Sequence, residues 1–240
     1  MKLLIKYATR GRSEWFKKAI TNIIETIGNV DYTVLVSADA DDPHMANVDI
    51  QEFCESYKYV SLIFGKSESK IHAINRDMEH SDDWDILINM SDDMHFTTPR
   101  WGQYLIQCIQ NRWGDSLDFF AHFNDGYAGE ALATMSIIGR TYYERDGYIY
   151  YPEYKSFSCD AEAYYVAILR GCHHYFPNPF FLHQHPANSK IPYDETYRKN
   201  SLATAHDTEL YFRRLNMNFG ETVNSGEATP FDKYKTIFIS

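Results

Sequence analysis

The stretch Asp85-Ile86-Leu87-Ile88-Asn89-Met90-Ser91-Asp92-Asp93 decides how the rest of the chain is read. A run this apolar between acids reads as a strand buried on both faces, the habit of parallel sheets. It leads straight into two adjacent carboxylates. Open α/β sheets bind ligands at the carboxyl ends of their strands, so Asp92 and Asp93 stand where a site forms. Neighbouring carboxylates repel unless a cation lies beside them, and hard oxygen donors suit Mg²⁺ or Mn²⁺. A turn carrying two solvated acids has the same sequence, and the motif alone leaves both readings open.

Outward from this stretch, short aliphatic runs alternate with segments of helical spacing, the pattern of βαβ units. Leu3 to Ala8 reads as a strand. It is followed by a helix with Trp15, Phe16, Ala19, Ile20, Ile23, Ile24 and Ile27 on one face, Ser13 as its cap and Gly28 at its end. Tyr32 to Ala38 and Val60 to Phe64 are strands, separated by a weaker helix through Ile50, Phe53, Cys54 and Tyr57. A short helix through Ile71, Ile74 and Met78 precedes the opening stretch. Beyond Asp93 the pattern predicts a helix capped by Thr98, with Pro99 in its first turn and Trp101, Tyr104, Leu105, Cys108 and Ile109 inside, then a strand over Leu117 to Phe123.

After Phe123 the alternation fails. Asn124-Asp125-Gly126 reads as a turn, Leu132 to Ile138 as a strand, Asp160 to Arg170 as a helix and Thr204 to Leu215 as a last amphipathic helix. The Pro-, His- and Tyr-rich segment 176–201 reads as an ordered loop over a site. The organisation expected is one domain, with segments 1–123 and 124–175 and a functional C-terminal flap and helix over 176–240.

Composition narrows the function classes. The chain has 240 residues, 44% hydrophobic and 23% charged, which suits one globular core. Its 23 basic residues against 33 acidic ones give a net charge of −10, so a long nucleic-acid duplex held by a broad basic face is excluded. No stretch approaches the roughly 20 apolar residues of a membrane span, and MKLLIKYATRGR lacks the apolar run of a signal peptide. Cys54, Cys108, Cys159 and Cys172 share no metal-knot spacing and read as reduced thiols of a cytoplasmic protein. Thirteen aromatics fall in 141–181, either as core or as a platform for sugar rings.

Three other strand ends join Asp92 and Asp93 at the same sheet edge. Thr9-Arg10-Gly11-Arg12 offers backbone N–H groups and guanidiniums to an anion. Asp39-Ala40-Asp41-Asp42 offers acceptors to a ribose or base, and Lys70 and Asn75 follow the third strand. Each alone reads as an ordinary loop; their convergence raises the functional reading.

With the segments KYATRGR, VSADADD, SKIHAIN and INMSDDM in this order, the chain resembles the family 2 glycosyltransferases of the GT-A fold. The resemblance continues through Arg140, Gly147-Tyr148, Cys159-Asp160 and Arg170-Gly171, and looks similar to small phage-type members. It implies a Rossmann-like mixed sheet flanked by helices and a hexosyl- or pentosyltransferase using a nucleotide-sugar donor, a UDP-sugar first among them, with inversion. Asp160 takes the position of the general base, with Glu162 a weaker candidate. Thr9, Arg10, Arg12, Asp39, Asp41, Lys70, Asn75 and Asp92 are implied donor contacts. Asp93 and Asp92, with His183 or His185, are the implied ligands of Mn²⁺ or Mg²⁺, and Lys190, Arg198 and Lys199 would fold over the diphosphate. His173 and His174 read as structural. Two positions depart from the family pattern: Ser91 stands where the first Asp of the DxD motif belongs, and Cys159 replaces the first acid of the "ED" pair.

The acceptor stays open between a saccharide, another hydroxyl-bearing molecule and a hydroxylated base in phage-type DNA. Ser91 and Cys159 keep a non-catalytic nucleotide-sugar or carbohydrate binding module in play. A metal-dependent phosphoryl-transfer or hydrolytic enzyme would use the same acids, but leaves the ordered pattern from Arg140 to Gly171 unexplained.

Overall fold

Along the first strand, Leu3, Ile5 and Tyr7 join one apolar cluster and Leu4 another, each of them fully buried. Such a strand needs helices on both faces. The computed structural model, which describes residues 1–81, 83–185 and 193–222, provides them. In chain order the elements are β1 (Leu3–Thr9), α1 (Ser13–Thr26), β2 (Tyr32–Asp39), α2 (Val48–Glu55), β3 (Val60–Gly65), α3 (Lys70–Asn75), β4 (Ile86–Met90) and β5 (Met94–Phe96). There follow α4 (Trp101–Trp113), β6 (Phe120–Asn124), β7 (Ile137–Gly139), α5 (Arg140–Asp146), α6 (Cys159–Leu169), β8 (His173–Pro179), β9 (Phe181–His183), α7 (Glu195–Ser201) and α8 (Thr204–Leu215).

The main sheet runs β3-β2-β1-β4-β7-β6-β8, and a small second sheet pairs β5 with β9. β1, β2, β3 and β4 are parallel, β7 is antiparallel to both its neighbours, and β6 and β8 are parallel. This is the mixed α/β sheet expected. The carboxyl ends of β1, β2 and β4 therefore open on one edge. One face of the sheet packs with α1, α2 and α4, the other with α3, α5, α6 and α8.

Packing overrides local signals in several places. α1 begins at Ser13 without a side-chain cap, and Gly28 follows its end at φ +85° as expected. Burial of Phe16, Ile20 and Ile23 contributes about 1.5–3 kcal/mol each, more than the ~1 kcal/mol of a cap. α4 begins at Trp101, not after Thr98, and Arg100 holds its N-cap position. Its first turn is docked on α1, because the Gly102 N–H donates to Ile27 O at 3.0 Å and a Cβ there would lie 2.8 Å from Ile27 Cγ1. Thr98 instead donates to Pro179 O. Met78 lies in a separate 3₁₀ turn beyond Asp77, not in α3.

Three corrections concern the second half. The strand expected over Leu132 to Ile138 shrinks to β7, because residues 127–134 wrap around the Asp125 carboxylate instead of extending. The loop expected over 176–201 is partly regular: β8 continues to Pro179, then come β9 and α7. A sheet edge tolerates the prolines that argued for a loop. Arg140 starts a helix, α5, that the spacing did not reveal. The four cysteines are free thiols, and among the described residues no helix is long and apolar enough to cross a membrane. Lys190 lies outside the described residues.

Candidate functional site

Parallel pairing of β1 with β4 sets Tyr7 beside Met90, so the two strands deliver Thr9 and Asp92 to one place. Asp92 accepts hydrogen bonds from the Tyr7 hydroxyl at 2.9 Å and Thr9 Oγ1 at 3.3 Å, and is 6% exposed. Burial pushes its carboxyl up to about 7, against the pull of Arg12 and these two donors. Asp93 is equally buried and accepts from Ser91 Oγ and, at 2.6 Å, from the Tyr197 hydroxyl. Burial acts to raise its carboxyl too, but His183, Ser91 and Tyr197 outweigh it and hold the group below the ordinary carboxylate range. Ser91, where the family has an acid, thus serves as a donor that keeps Asp93 ionised.

His183 arrives by strand pairing. In the β5–β9 ribbon Met94 lies opposite His183, and the Gln184 N–H donates to Asp93 O at 2.7 Å. His183 Nε2 is 3.7 Å from Asp93 Oδ2, while Nδ1 is 3.9 Å from Asp125 Oδ2. Burial lowers the His183 pKa, but the carboxylates of Asp125 and Asp93 on either side of the ring raise it to about 9. His185 packs edge-on against His183 and Tyr197 and also lies within the electrostatic reach of Asp93; His183 Nε2 is the imidazole nitrogen with a short distance to that acid.

The remaining strand ends surround this pair. Arg12 makes two hydrogen bonds to Asp194, at 2.8 and 2.9 Å, and lies 4.3 Å from the Tyr197 ring centre. Arg10 bridges Asp39 at 2.6 Å and Asp41 at 2.7 Å. Asp39 is nearly buried, and its Oδ1 has no hydrogen-bond partner among the described residues. Asp42 ties the two loops together by accepting from the Gly11 N–H.

Asp160 is the second residue of α6, which begins at Cys159 one residue before the expected start, with Ser158, at φ +60°, in the N-cap position. Its carboxylate accepts from the Ala161 N–H at 2.9 Å. Burial raises its pKa, while that N–H, Lys70 and His183 act in the opposite direction, which places both cations within its electrostatic reach. Lys70, at the exposed start of α3, acts likewise on His185. Arg12, Lys70, Asp92, Asp93, Asp160 and His183 therefore share one region.

Two candidates are committed elsewhere. Asn75 spends its side chain on backbone, donating to Tyr150 O and accepting from the N–H groups of Ile149 and Tyr150. Glu162 is buried in an ion pair with Arg214 and accepts from the Tyr154 hydroxyl. Arg140 pairs outward with Asp83 and Glu144, and Arg170 ties Asp146 to Glu221. Arg198 pairs with Glu195 within α7. His173 is structural as expected, its Nε2 2.8 Å from His122 Nδ1.

Four site residues escaped the sequence reading. Asp125 was read only as part of a turn, and its signal is an Asp directly before Gly-Tyr-Ala-Gly, of which it collects the last three N–H groups. Asp194 and Tyr197 lay in a supposed loop. Asp207, fully buried in α8, accepts from the N–H groups of Lys155, Ser156 and Phe157 and so fixes the segment that leads into Asp160.

Solved structures share this arrangement of chain. The mannosyltransferase PcManGT from Pyrobaculum calidifontis, in complex with GDP-Man and Mn²⁺, superposes with a TM-score of 0.66 at 13% identity, over 97% of this chain and 67% of that one. The fold is the GT-A glycosyltransferase fold. Residues 1–349 of S. aureus TarS match this GT-A chain with a TM-score of 0.59 at 10% identity, over 94% of this chain and 76% of that one. The same TarS segment in complex with UDP-GlcNAc matches at 11% identity and a TM-score of 0.59, over 92% and 74% of the two chains. No protein-family model and no curated protein matches the sequence.

The GT-A fold raises the question of a divalent cation. Two donors at ~2.1 Å from one ion lie roughly 3–4 Å apart, and Asp93 Oδ2 and His183 Nε2 are 3.7 Å apart. Carboxylate with imidazole suits Mn²⁺ better than Mg²⁺. Among the described residues no group of three or more His, Cys, Asp and Glu side chains is placed to hold an ion, so Asp93 and His183 are a pair that could contribute two ligands and not a complete metal site.

Proposed function

We propose that this chain transfers a glycosyl group from a nucleotide-diphosphate sugar to an acceptor hydroxyl. The observation that carries the reading is the meeting of Asp93 and His183 with Arg12, Lys70 and Asp160 at one edge of a GT-A sheet. PcManGT and TarS, with GDP-Man and UDP-GlcNAc as their ligands, support a donor of this class.

Asp93 and His183, with Asp92 alongside, would hold a divalent cation. When bound, it supplies positive charge against the negative charge that builds on the departing diphosphate. The Arg12 fork and Lys70 bind diphosphate oxygens, which Arg12 does once it releases Asp194. Thr9, Arg10, Asp39 and Asp41 line the nucleoside end, and Asn75 braces residues 149 and 150 behind it. Asp160 accepts the proton of the acceptor hydroxyl. That oxygen then bonds to the anomeric carbon on the face opposite the diphosphate, the bond to the diphosphate breaks with both electrons leaving on oxygen, and configuration inverts.

The test is a panel of UDP-, GDP- and dTDP-sugars with and without Mn²⁺, read by thermal unfolding and by release of nucleotide. One donor is expected to stabilise the fold by mass action and to be hydrolysed slowly, in both cases only with the ion. A panel in which no donor stabilises the chain or is cleaved defeats the reading.

A further inference from the structure

Asp125 lies one residue past β6 and is 1% exposed. Its Oδ1 accepts from the N–H groups of Tyr127 at 2.9 Å, Ala128 at 2.8 Å and Gly129 at 3.1 Å, and its Oδ2 accepts from Thr134 Oγ1 at 2.8 Å. Four donors hold this carboxylate rigidly. Oδ2 also faces His183 Nδ1 at 3.9 Å, and the Asp125 carbonyl accepts from the His183 N–H at 3.1 Å. The His183 backbone is thus tied to Asp125, and its ring lies between two carboxylates, Nδ1 toward Asp125 and Nε2 toward Asp93.

We propose that Asp125 is a positioning residue that takes the Nδ1 side of His183 and presets Nε2 as a cation ligand beside Asp93. A carboxylate behind a ligating histidine fixes ring orientation and strengthens the nitrogen as a donor. The proposal rests on reading Asp93 and His183 as the cation's ligands. Closing the 127–134 loop does not by itself require a charge here. An asparagine keeps an oxygen for the three N–H groups but turns a donor toward Nδ1, so Asp125→Asn reverses the polarity at the histidine while preserving the loop.

The experiment titrates Mn²⁺ into the full chain, alone and with UDP or GDP, and follows free Mn²⁺ by electron paramagnetic resonance. Asp125→Asn is expected to weaken binding by on the order of tenfold or more, and to cause no further loss in a His183→Ala background. Thr134→Val, which removes one restraint on Oδ2, is expected to weaken it about threefold. The proposal is overturned if folded Asp125→Asn binds Mn²⁺ within twofold of the parent, or loses as much without His183. Should Asp125→Asn not fold, Thr134→Val decides, and an effect below twofold overturns the proposal. None of these readouts uses turnover. Intact coupling without sugar transfer from any donor defeats the glycosyltransferase reading and leaves Asp125 in its role, whereas a parent chain that binds no Mn²⁺ under any of these conditions defeats this one.

Discussion

The phenolic oxygen of Tyr197 lies 2.6 Å from Oδ2 of Asp93, joining residues 104 apart in sequence. Through this contact α7 closes over the acidic pair, and the Tyr197 hydroxyl uses the same carboxylate oxygen that faces His183. A cation binding there must displace the phenol. A hydrogen bond to a charged group contributes about 1.5–3 kcal/mol net, so Tyr197→Phe is expected to tighten Mn²⁺ binding by about tenfold or more in the absence of donor. Calorimetric titration of both proteins checks this; weaker binding by the Phe variant would mean that Tyr197 helps to hold the ion.

Asp160→Asn keeps an oxygen to accept from the Ala161 N–H and removes the base. Transfer to acceptor is expected to fall 10²- to 10⁴-fold, with donor affinity unchanged within about twofold because Asp160 takes no part in the donor contacts. Single-turnover rates and equilibrium donor binding, measured side by side, separate the two effects. A transfer rate equal to the parent's would remove Asp160 from the mechanism.

Asp207→Ala leaves three N–H groups, those of Lys155, Ser156 and Phe157, without their buried acceptor. Each such loss costs about 1 kcal/mol or more, and the expected destabilisation is about 2–4 kcal/mol by urea unfolding. Because this segment leads into α6, kcat should fall more than donor KM rises. A variant as stable as the parent would show that the loop holds itself.

Acid should unfold the chain through the His122–His173 pair. Burial depresses His122 to about 4 and His173 to about 3, where the unfolded residues titrate near 6.5. Since the unfolded state binds these protons first, the stability that depends on neutral rings is complete above about pH 6.5 and is lost as pH falls toward the folded values. His122→Phe should flatten the dependence by up to ~1.4 kcal/mol per pH unit below 6.5. Denaturation midpoints collected from pH 7 to 4.5 check the slope; parallel curves for parent and variant would reject it.

The first half of the fold was legible because β1, β2 and β4 are buried on both faces and the helices that cover them on one. DILINM reads as a central strand, and Ile86–Met90 is one, leading into the buried acids Asp92 and Asp93. Lys6 is the exception inside β1. It is fully buried, its Nζ bonds the Ser37 hydroxyl, and burial lowers it to about 7 against the pull of Asp77. The second half was less legible because its local signals serve distant partners. Pro177 and Pro179 look like loop residues and lie on an edge strand, and Asp125 looks like a turn former and anchors a histidine.

By itself, the sequence determined the alternation of strand and helix, the edge where the strands end, and the acids and basic residues placed there. Those are local properties, set by side-chain periodicity and by which residues stop an element. Tertiary structure alone decided that His183 rather than His185 faces Asp93, that Asn75 and Glu162 are occupied elsewhere, and that Tyr197, Asp194, Asp125 and Asp207 support the site. The physical reason is register. The β5–β9 pairing and the docking of α7 and α8 depend on contacts between residues far apart in the chain, and no local pattern of residues records which partner each will meet.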